Sequence, residues 1–265
     1  MKLVVCPTPI GNLEDITLRV LTALRDADVV ACEDTRHTQG LLKRHGISAT
    51  LISYHEHNER ARAGELVERM RAGATVALVS DAGMPLVNDP GYDLVQATIE
   101  AGLTVEVLPG PSATITALVA SGLPNDVWRF AGFLPRKRSG LETVFAGSET
   151  VVAFESPRRV GASLEVLAEL DPERPAAVCR ELTKLHEEIV RGTAQELAAR
   201  YAEEDPRGEI VLVVGAAPKA EGLDPKALAA VKLLVDAGAR SKTAAKVVSE
   251  LTGAPSNELY RALLT

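Results

Sequence analysis

Residues 75–91 read TVALVSDAGMPLVNDPG, and this stretch decides the fold class. Its first five residues form an apolar run typical of a buried strand. The next twelve, residues 80–91, contain two Gly, two Pro and two Asp, which are typical of a bent loop. The loop lacks the GxGxxG pattern that places backbone N–H groups around a pyrophosphate. The stretch therefore predicts a strand whose end binds a small ligand without phosphates.

Strand-like and helix-like segments alternate on both sides of this stretch. Strands are predicted at residues 3–6, 29–32, 50–54, 75–79 and 104–108, with helices between them. Repeated βα units of this length predict a mainly parallel sheet covered by helices. We assign residues 1–122 to this N-terminal α/β domain.

The pattern changes after residues 123–135, which are interpreted as a connection. Further strands are predicted at residues 150–154, 177–180, 187–190 and 209–214, with fewer helices between them. They predict a second α+β domain over residues 123–217. Residues 215–225 have the composition of a linker, and three short helices are predicted in a tail at residues 224–265. The predicted fold class is α/β, with two unlike α/β domains and a small C-terminal helical segment.

The composition narrows the classes of function. A formal net charge of −7 counts against a general nucleic-acid binder, and an aromatic content of 3% predicts no packed aromatic platform for stacking bases. Three cysteines without CxxC or Cys/His spacing indicate reduced thiols in a cytoplasm and no metal site. No apolar run reaches the length of a membrane span, and the N-terminal run is too short for a signal peptide.

Four loops at predicted strand ends share an unusual composition. They are CPTPIGNLEDIT (residues 6–17), CEDTRHT (32–38), SDAGMPLVNDPG (80–91) and LPGPSA (108–113). Ligands of open α/β sheets bind beyond the carboxyl ends of the strands, where these loops fall. Carboxylates and prolines favour a neutral or cationic ligand such as an adenosyl sulfonium. A single loop of this composition is usually only a turn. The residue types of the four loops do not identify the ligand.

The same loops, with ELTK and RGEIVLVV further along the chain, resemble one family over residues 3–214. That family is ribosomal RNA small subunit methyltransferase I, the cytidine 2′-O-methyltransferases of 16S rRNA. It belongs to the tetrapyrrole-methylase-like superfamily of S-adenosylmethionine enzymes. The resemblance implies two unlike α/β domains with the cofactor in the cleft between them. It also implies a homodimer that acts on 16S rRNA within the 30S subunit.

The resemblance further implies which residues contact S-adenosylmethionine. They lie in the loop after residue 79, in the LPGPSA segment and in the backbone of the second domain. Carried over residue by residue, the expected contacts are Asp81, Ala82, Gly83, Pro85, Pro109, Ser112, Ala113, Thr114, Leu182 and Gly208.

Three polar residues are candidates for catalysis. Lys184 is interpreted as a cation that lowers the pKa of a ribose hydroxyl or binds a phosphate. Glu155 and Glu187 are interpreted as acceptors of the hydroxyl proton. For each of them, a structural or surface ion pair is the alternative.

Basic residues give candidate RNA contacts in an otherwise acidic chain. Residues 135–140, PRKRSG, are interpreted as a loop between the domains, and a merely solvated loop is the alternative. Basic side chains of this kind contact phosphates. The candidates are Arg36, Arg136, Lys137, Arg138, Arg158, Lys242 and Lys246.

Three other functions stay open beside 2′-O-methylation of a cytidine ribose in 16S rRNA. A methylase of the same architecture that acts on a tetrapyrrole or a modified protein residue fits the acidity slightly better. A non-catalytic RNA-binding or assembly factor is the second, and it predicts no affinity for the cofactor. A nucleotide-binding oxidoreductase is disfavoured because GxGxxG is missing.

Overall fold

The computed structural model of the chain describes residues 1–203, 205–217 and 225–263. Met1–Ala217 form one compact unit, and residues 225–263 belong to a second. The predicted linker falls mostly on residues 218–224, which lie outside the described residues. The predicted tail includes residues 224, 264 and 265, and these also lie outside them.

The first half of the large unit is a parallel sheet covered by helices. Its strands lie in the order β3-β2-β4-β1-β5, and every pairing is parallel. The predicted strand at residues 75–79 is its central strand, and Val76 and Ala77 are fully buried. The elements are β1 (Lys2–Val5), α1 (Leu18–Asp26), β2 (Val29–Cys32), α2 (Thr35–Arg44), β3 (Leu51–Ser53), α3 (Glu59–Arg71), β4 (Thr75–Val79), α4 (Tyr92–Glu100), β5 (Thr104–Val107) and α5 (Ala113–Ser121).

The second half contains a mixed five-stranded sheet in the order β6-β7-β10-β8-β9. The pairing of β6 with β7 is parallel, and the other pairings are antiparallel. Its elements are β6 (Trp128–Phe133), α6 (Arg138–Phe145), β7 (Thr150–Glu155), α7 (Val160–Leu170), β8 (Pro175–Arg180), β9 (Glu188–Thr193), α8 (Ala194–Arg200) and β10 (Ile210–Val214). The α/β fold class predicted from the sequence is confirmed.

Two local predictions were wrong. Residues 123–135 are not only a connection, because β6 lies within them. A bulge with Gly132 at a φ of 66° interrupts its alternation, which hid the strand from a period-two pattern. Residues 135–140 are not wholly a loop, because α6 begins at Arg138. Arg138 forms an ion pair of 2.9 Å with Glu142 one turn later, which supports the helix start.

Helix α5 joins the two halves. Its buried residues Ala117 and Leu118 belong to an apolar cluster with Val152, Cys179 and Val213 of the second sheet. The loops at the carboxyl ends of the first sheet therefore lie close to one apolar face of the second sheet. This arrangement places the candidate site.

Over residues 225–263, the described part of the second unit contains three helices, as predicted. They are α9 (Pro225–Asp236), α10 (Ser241–Thr252) and α11 (Ser256–Arg261). Val231, Val248 and Leu259 are among the residues of their shared core. Across the described ranges, no helix is both long and apolar enough to cross a bilayer.

Candidate active site

A cavity of about 340 Å³ lies between the loops of the first sheet and the second sheet. This volume is within the range of small-molecule sites. Its apolar wall includes Ile10, Met84, Val87, Phe133, Phe154, Leu182, Ile210 and Val211. Its polar groups include Asn88, Asp89, Ser112, Thr114, Glu155, Ser156 and Glu209.

The loops after β1 and β4 are held together by backbone hydrogen bonds. Thr8 N donates to Gly83 O at 2.9 Å, and Gly83 N donates to Thr8 O at 3.0 Å. The Thr8 hydroxyl donates to Ser80 O at 3.0 Å. Gly83 has a φ of 83°, and a Cβ there would lie 3.3 Å from Ile10 Cγ2. These contacts fix one end of the cavity.

The second part of the β4 loop has a strained backbone. Leu86 and Asn88 have positive φ values of 73° and 63°, which cost free energy in residues other than glycine. Gly91 makes the turn possible, because a Cβ there would lie 2.7 Å from Leu86 Cδ1. The result is that Asn88 and Asp89 line the cavity.

On the first-sheet side, the Asp89 carboxylate lines the cavity, and those of Glu33 and Asp81 lie near it but outside the lining. Burial raises the pKa of Asp89 to about 6, and the nearby charges of Glu33 and Asp81 add to the effect. Burial and the charge of Asp81 likewise raise the pKa of Glu33. This side of the cavity therefore favours a cationic ligand and holds a carboxylate that titrates near neutral pH.

The N-terminus of α5 also points its first residues at the cavity, through Ser112, Ala113 and Thr114. The first N–H groups of a helix have no partner within it, and the Ser112 side chain does not cap them. Thr114 is 4% exposed, and its Oγ1 is one of three buried side-chain polar atoms without a hydrogen-bond partner in the described part of the chain. A ligand that bonds this hydroxyl would relieve the cost of burying it.

The wall from the second sheet contains a second strained segment. Glu181 and Thr183 have φ values of 50° and 66°. Asn12 N donates to Thr183 Oγ1 at 3.0 Å, and a Cβ at Gly11 would lie 2.5 Å from Lys184 Cγ. The loop after β1 thus packs tightly against residues 181–184, next to the cavity residues Ile10 and Leu182.

Comparisons with known proteins agree with this geometry. A profile of the tetrapyrrole (corrin/porphyrin) methylases matches residues 2–198.

The chain belongs to the tetrapyrrole methylase family.

Within the family, the chain is a member of the branch named ribosomal RNA small subunit methyltransferase I. It is 48% identical to that protein of Micromonospora olivasterospora over 261 residues, which cover 96% of this chain and 83% of the relative. It is also 48% identical to the protein of that name from Mesorhizobium japonicum over 263 residues, which cover 97% of this chain and 89% of the relative.

Solved structures of other methylases share the fold. The uroporphyrin-III C-methyltransferase of Thermus thermophilus matches with a TM-score of 0.58 and 26% identity, over 81% of this chain and 94% of that one. A structure with the same protein name and organism, complexed with S-adenyl homocysteine, has a TM-score of 0.57 and 22% identity. The match covers 81% of this chain and 97% of that one. This second likeness concerns the fold alone.

The cavity of this methylase fits the family's cofactor, S-adenosylmethionine. The cofactor combines a sulfonium cation, an apolar adenosyl face and several hydrogen-bonding groups. The acidic side at Asp89 suits the cation, and the apolar wall suits the adenosyl group. The lone Thr114 hydroxyl and the free N–H groups of α5 suit acceptors and donors on the ligand.

Most of the expected cofactor contacts lie at this cavity. Ala82, Gly83, Ser112, Ala113, Thr114, Leu182 and Gly208 line it. Asp81, Pro85 and Pro109 lie in the same loops but outside the lining. The Asp81 carboxylate accepts a hydrogen bond of 3.1 Å from Asp34 N, so it holds the loop after β2 in place. Its role as a cofactor contact stays a prediction.

The three catalytic candidates make contacts that hold loops in place. Glu155 lines the cavity, but its carboxylate accepts bonds of 2.7 Å from Ser156 N and 2.6 Å from Ser163 Oγ. Glu187 accepts a bond of 2.6 Å from Thr183 N. Lys184 pairs with Glu181 at 2.8 Å and Glu209 at 2.9 Å.

Burial lowers the pKa of Lys184, but its two carboxylate partners outweigh burial and raise it. Lys184 is therefore a permanent cation and not a base near neutral pH. The catalytic roles of Lys184, Glu155 and Glu187 stay predictions.

The basic candidates differ in how far their charge is already paired. Arg138 pairs with Glu142 and Glu169, and Arg36 pairs with Asp34 at 3.1 Å. In the second unit, Lys246 lies 3.9 Å from Glu250, and Lys242 is exposed.

Besides Lys242, three candidates in the large unit remain available for phosphates. Arg136, Lys137 and Arg158 are exposed, and none has an ion-pair partner within the described residues. They are near in sequence to the cavity residues Phe133 and Pro157.

Sequence reasoning missed Asn88, Asp89 and Phe133 at the cavity. The signal for Asp89 was present, because it is the second aspartate of the quoted loop. The expected contacts stopped at Pro85, before the turn that brings Asp89 inward. Nothing in a single sequence indicated that Phe133 faces the cavity, since its strand was not recognised.

Proposed function

We propose that this methylase transfers the methyl group of S-adenosylmethionine to the 2′-hydroxyl of a cytidine ribose in 16S rRNA of the small ribosomal subunit. Its relatives named ribosomal RNA small subunit methyltransferase I are 42–48% identical to it, including those of Micromonospora olivasterospora and Mesorhizobium japonicum. The observation that carries the proposal is a cavity with the Asp89 carboxylate in its lining and with exposed, unpaired basic residues close in sequence to its lining residues Phe133 and Pro157. A cationic donor suits the carboxylate, and a phosphate backbone suits the basic residues.

The protein's contribution to such a reaction is mainly alignment. When bound, the cofactor supplies an electrophilic methyl group on a sulfonium, whose thioether is a good leaving group. The fixed loops at Gly83 and Leu182 orient the donor, and positioning of this kind contributes up to about 7–11 kcal/mol. Exclusion of water by the apolar wall keeps the methyl group from hydrolysis.

Asp89 is the side chain best suited to accept the hydroxyl proton. It lines the cavity, and a raised pKa of about 6 leaves it ionised but basic at neutral pH. The Asp89 carboxylate would accept the O2′ proton as O2′ takes the methyl group, while the methyl–sulfur bond of the donor breaks and its electron pair stays on the thioether sulfur. The side chains of Glu155, Glu187 and Lys184 are already held by hydrogen bonds or ion pairs, which supports a positioning role for them.

The proposal extends to the assembly and its surroundings. A homodimer is supported by apolar side chains that stay exposed on the edge strand β5 and on α5, at Val107, Ile115 and Val119. A reducing cytoplasm is supported by three free, buried cysteines. The assembled 30S subunit is the proposed substrate.

The test is transfer of tritiated methyl groups from S-adenosylmethionine to 30S subunits that lack the modification. We expect label in 16S rRNA, at the 2′-oxygen of one cytidine after nuclease mapping. Label on a base, or in protein alone, would contradict the proposal.

A second candidate function is methylation of a tetrapyrrole. The shared fold with a uroporphyrin-III C-methyltransferase and the net charge of −7 favour it. Incubation of the same enzyme with a reduced uroporphyrin and labelled donor distinguishes the two, because only this candidate predicts a labelled pigment.

A further inference from the structure

One aromatic side chain stands exposed at the rim of the cavity. Phe133 lines the cavity, yet it is 62% exposed. Its ring centroid lies 5.4 Å from that of Phe154, at an angle of 63°, and Phe154 in turn contacts Phe130 at 5.0 Å. The edge-on stack supports the Phe133 ring from inside the fold, while much of the ring remains open to a ligand.

A bulge in β6 turns Phe133 to this side. Phe130 pairs with Val152 and Phe133 with Phe154, so β6 has one residue more than β7 over this interval. In a regular strand without this extra residue, residues 130 and 133 would lie on opposite faces of the sheet. Ala131 and Leu134 accordingly pack into the core on the opposite face.

The bulge also touches the strained loop of the first sheet. Gly132 has a φ of 66°, and a Cβ there would lie 3.3 Å from the Asn88 amide. Gly132 therefore lets Asn88 approach the bulge, immediately before Asp89 in the chain. The position of Phe133 is thus tied to the loop that carries the proposed proton acceptor.

Exposed basic residues lie close in sequence to Phe133 and to another residue of the cavity lining. Arg136 and Lys137 follow it in the chain, and Arg158 follows the cavity residue Pro157. All three are exposed and have no ion-pair partner in the described ranges. An open aromatic ring combined with unpaired cations in the neighbouring segments is typical of sites that bind single-stranded nucleic acid, by stacking a base and contacting its phosphates.

We propose that Phe133 stacks against the base of the target nucleotide, or its immediate neighbour, and so holds the ribose at the cavity. The ring then acts as a positioning group for the RNA substrate and not for the cofactor. This inference rests on the proposed function. It also revises the expectation drawn from composition, because one well-placed ring suffices where no platform of several rings exists.

The test compares Phe133→Ala, Phe133→Leu and Phe133→Tyr with the parent protein. Kinetics on unmodified 30S subunits give kcat/KM, and calorimetry gives the affinity for S-adenosyl homocysteine. Val127→Ala is the matched control, since Val127 is an apolar residue 70% exposed near β6 and outside the cavity lining. Thermal melting checks that each variant is folded.

Stacking predicts that Phe133→Ala and Phe133→Leu both lower kcat/KM by about 5- to 150-fold. Phe133→Tyr should stay within about threefold of the parent, because it retains the ring. Affinity for S-adenosyl homocysteine should not change in any of them, and Val127→Ala should match the parent protein.

Full activity of Phe133→Leu would overturn the inference, because apolar bulk would then suffice. A loss of cofactor affinity equal to the loss of kcat/KM would also overturn it, by assigning Phe133 to the donor site. Both results leave the proposed function intact. Absence of methyl transfer to 30S subunits by the parent protein would instead remove the proposed function, and the inference with it.

Discussion

At the scale of single residues, two polar groups at the cavity are held under conditions that lower stability. Thr114 Oγ1 is buried without a partner, and the Asp89 carboxylate is desolvated beside other carboxylates. Buried groups of this kind are retained at functional sites, where a ligand compensates them. We therefore expect that both residues lower the stability of the fold, and that Thr114 contributes to ligand binding and Asp89 to proton transfer.

Thr114→Val removes the unpartnered hydroxyl with little change in shape. We expect the free energy of unfolding to rise by about 1 kcal/mol, because no buried donor is left unpaired. Affinity for S-adenosyl homocysteine should fall about 3- to 10-fold through loss of one hydrogen bond. Denaturant unfolding and calorimetry measure the two effects. A less stable variant with unchanged affinity would show that the hydroxyl has a structural partner instead.

Asp89→Asn should separate stability from activity. The pKa of Asp89 is raised in the folded state, so its ionised form destabilises the fold as pH rises from about 4 through 6. The variant should be more stable than the parent by roughly 1–3 kcal/mol at pH 7, and the difference should vanish below about pH 4.

The same variant should lower kcat by about 10²- to 10⁴-fold through loss of the proton acceptor. In the parent protein, kcat should rise with pH through about 6 and then level off. Asp126→Asn, at an exposed position outside the cavity lining, is the control and should change neither property. An unchanged kcat in Asp89→Asn would exclude the carboxylate as the acceptor.

At the scale of elements, the sequence predicted the parallel sheet well and the second sheet less well. The βα units from β1 to α5 follow a simple apolar period and have Gly stops, as at Gly46 and Gly73. β6 was missed because Gly132 and the bulge break its alternation. The close approach of the β1 loop to residues 181–184 was also invisible, since it depends on a contact between distant segments.

Gly11→Ala tests this contact between segments. The new methyl group would meet Lys184 Cγ at 2.5 Å and Leu182 O at 3.0 Å, so one loop must move. We expect a loss of about 1–3 kcal/mol in the free energy of unfolding and weaker cofactor binding, because Ile10 and Leu182 shift. Gly40→Ala in α2 is the matched control, since nothing lies within 4 Å of its Cβ. It should stabilise the helix by about 0.5–1 kcal/mol.

The segment that begins α6 allows a second comparison. Arg136→Ala with Lys137→Ala should weaken binding to 30S subunits and reduce the slope of log affinity against log salt by roughly 1–2, as for two lost phosphate contacts. Arg138→Ala should leave the slope unchanged, because Arg138 is already paired with Glu142 and Glu169. Filter binding at several salt concentrations measures this. Equal slopes for both variants would place the RNA elsewhere.

At the scale of the whole molecule, the site exists only because the two halves of the large unit meet. The first sheet contributes the strained loop and the start of α5, and the second contributes the apolar wall with Phe133 and Leu182. Motifs in the sequence identified the loops. The side chains that face the cavity could not be identified in the same way, because they are set by packing between segments that are far apart in the chain. A composition of 3% aromatics is an average and did not reveal that one ring lies at the rim.

The central claim is that this cavity binds the methyl donor. A crystal structure of the protein soaked with S-adenosyl homocysteine tests it most directly. We predict that the ligand lies between residues 82–89, residues 112–114 and Leu182, with a hydrogen bond to Thr114 Oγ1. A ligand bound at any other place, or a cavity that stays empty under conditions where calorimetry shows saturation, would contradict the account.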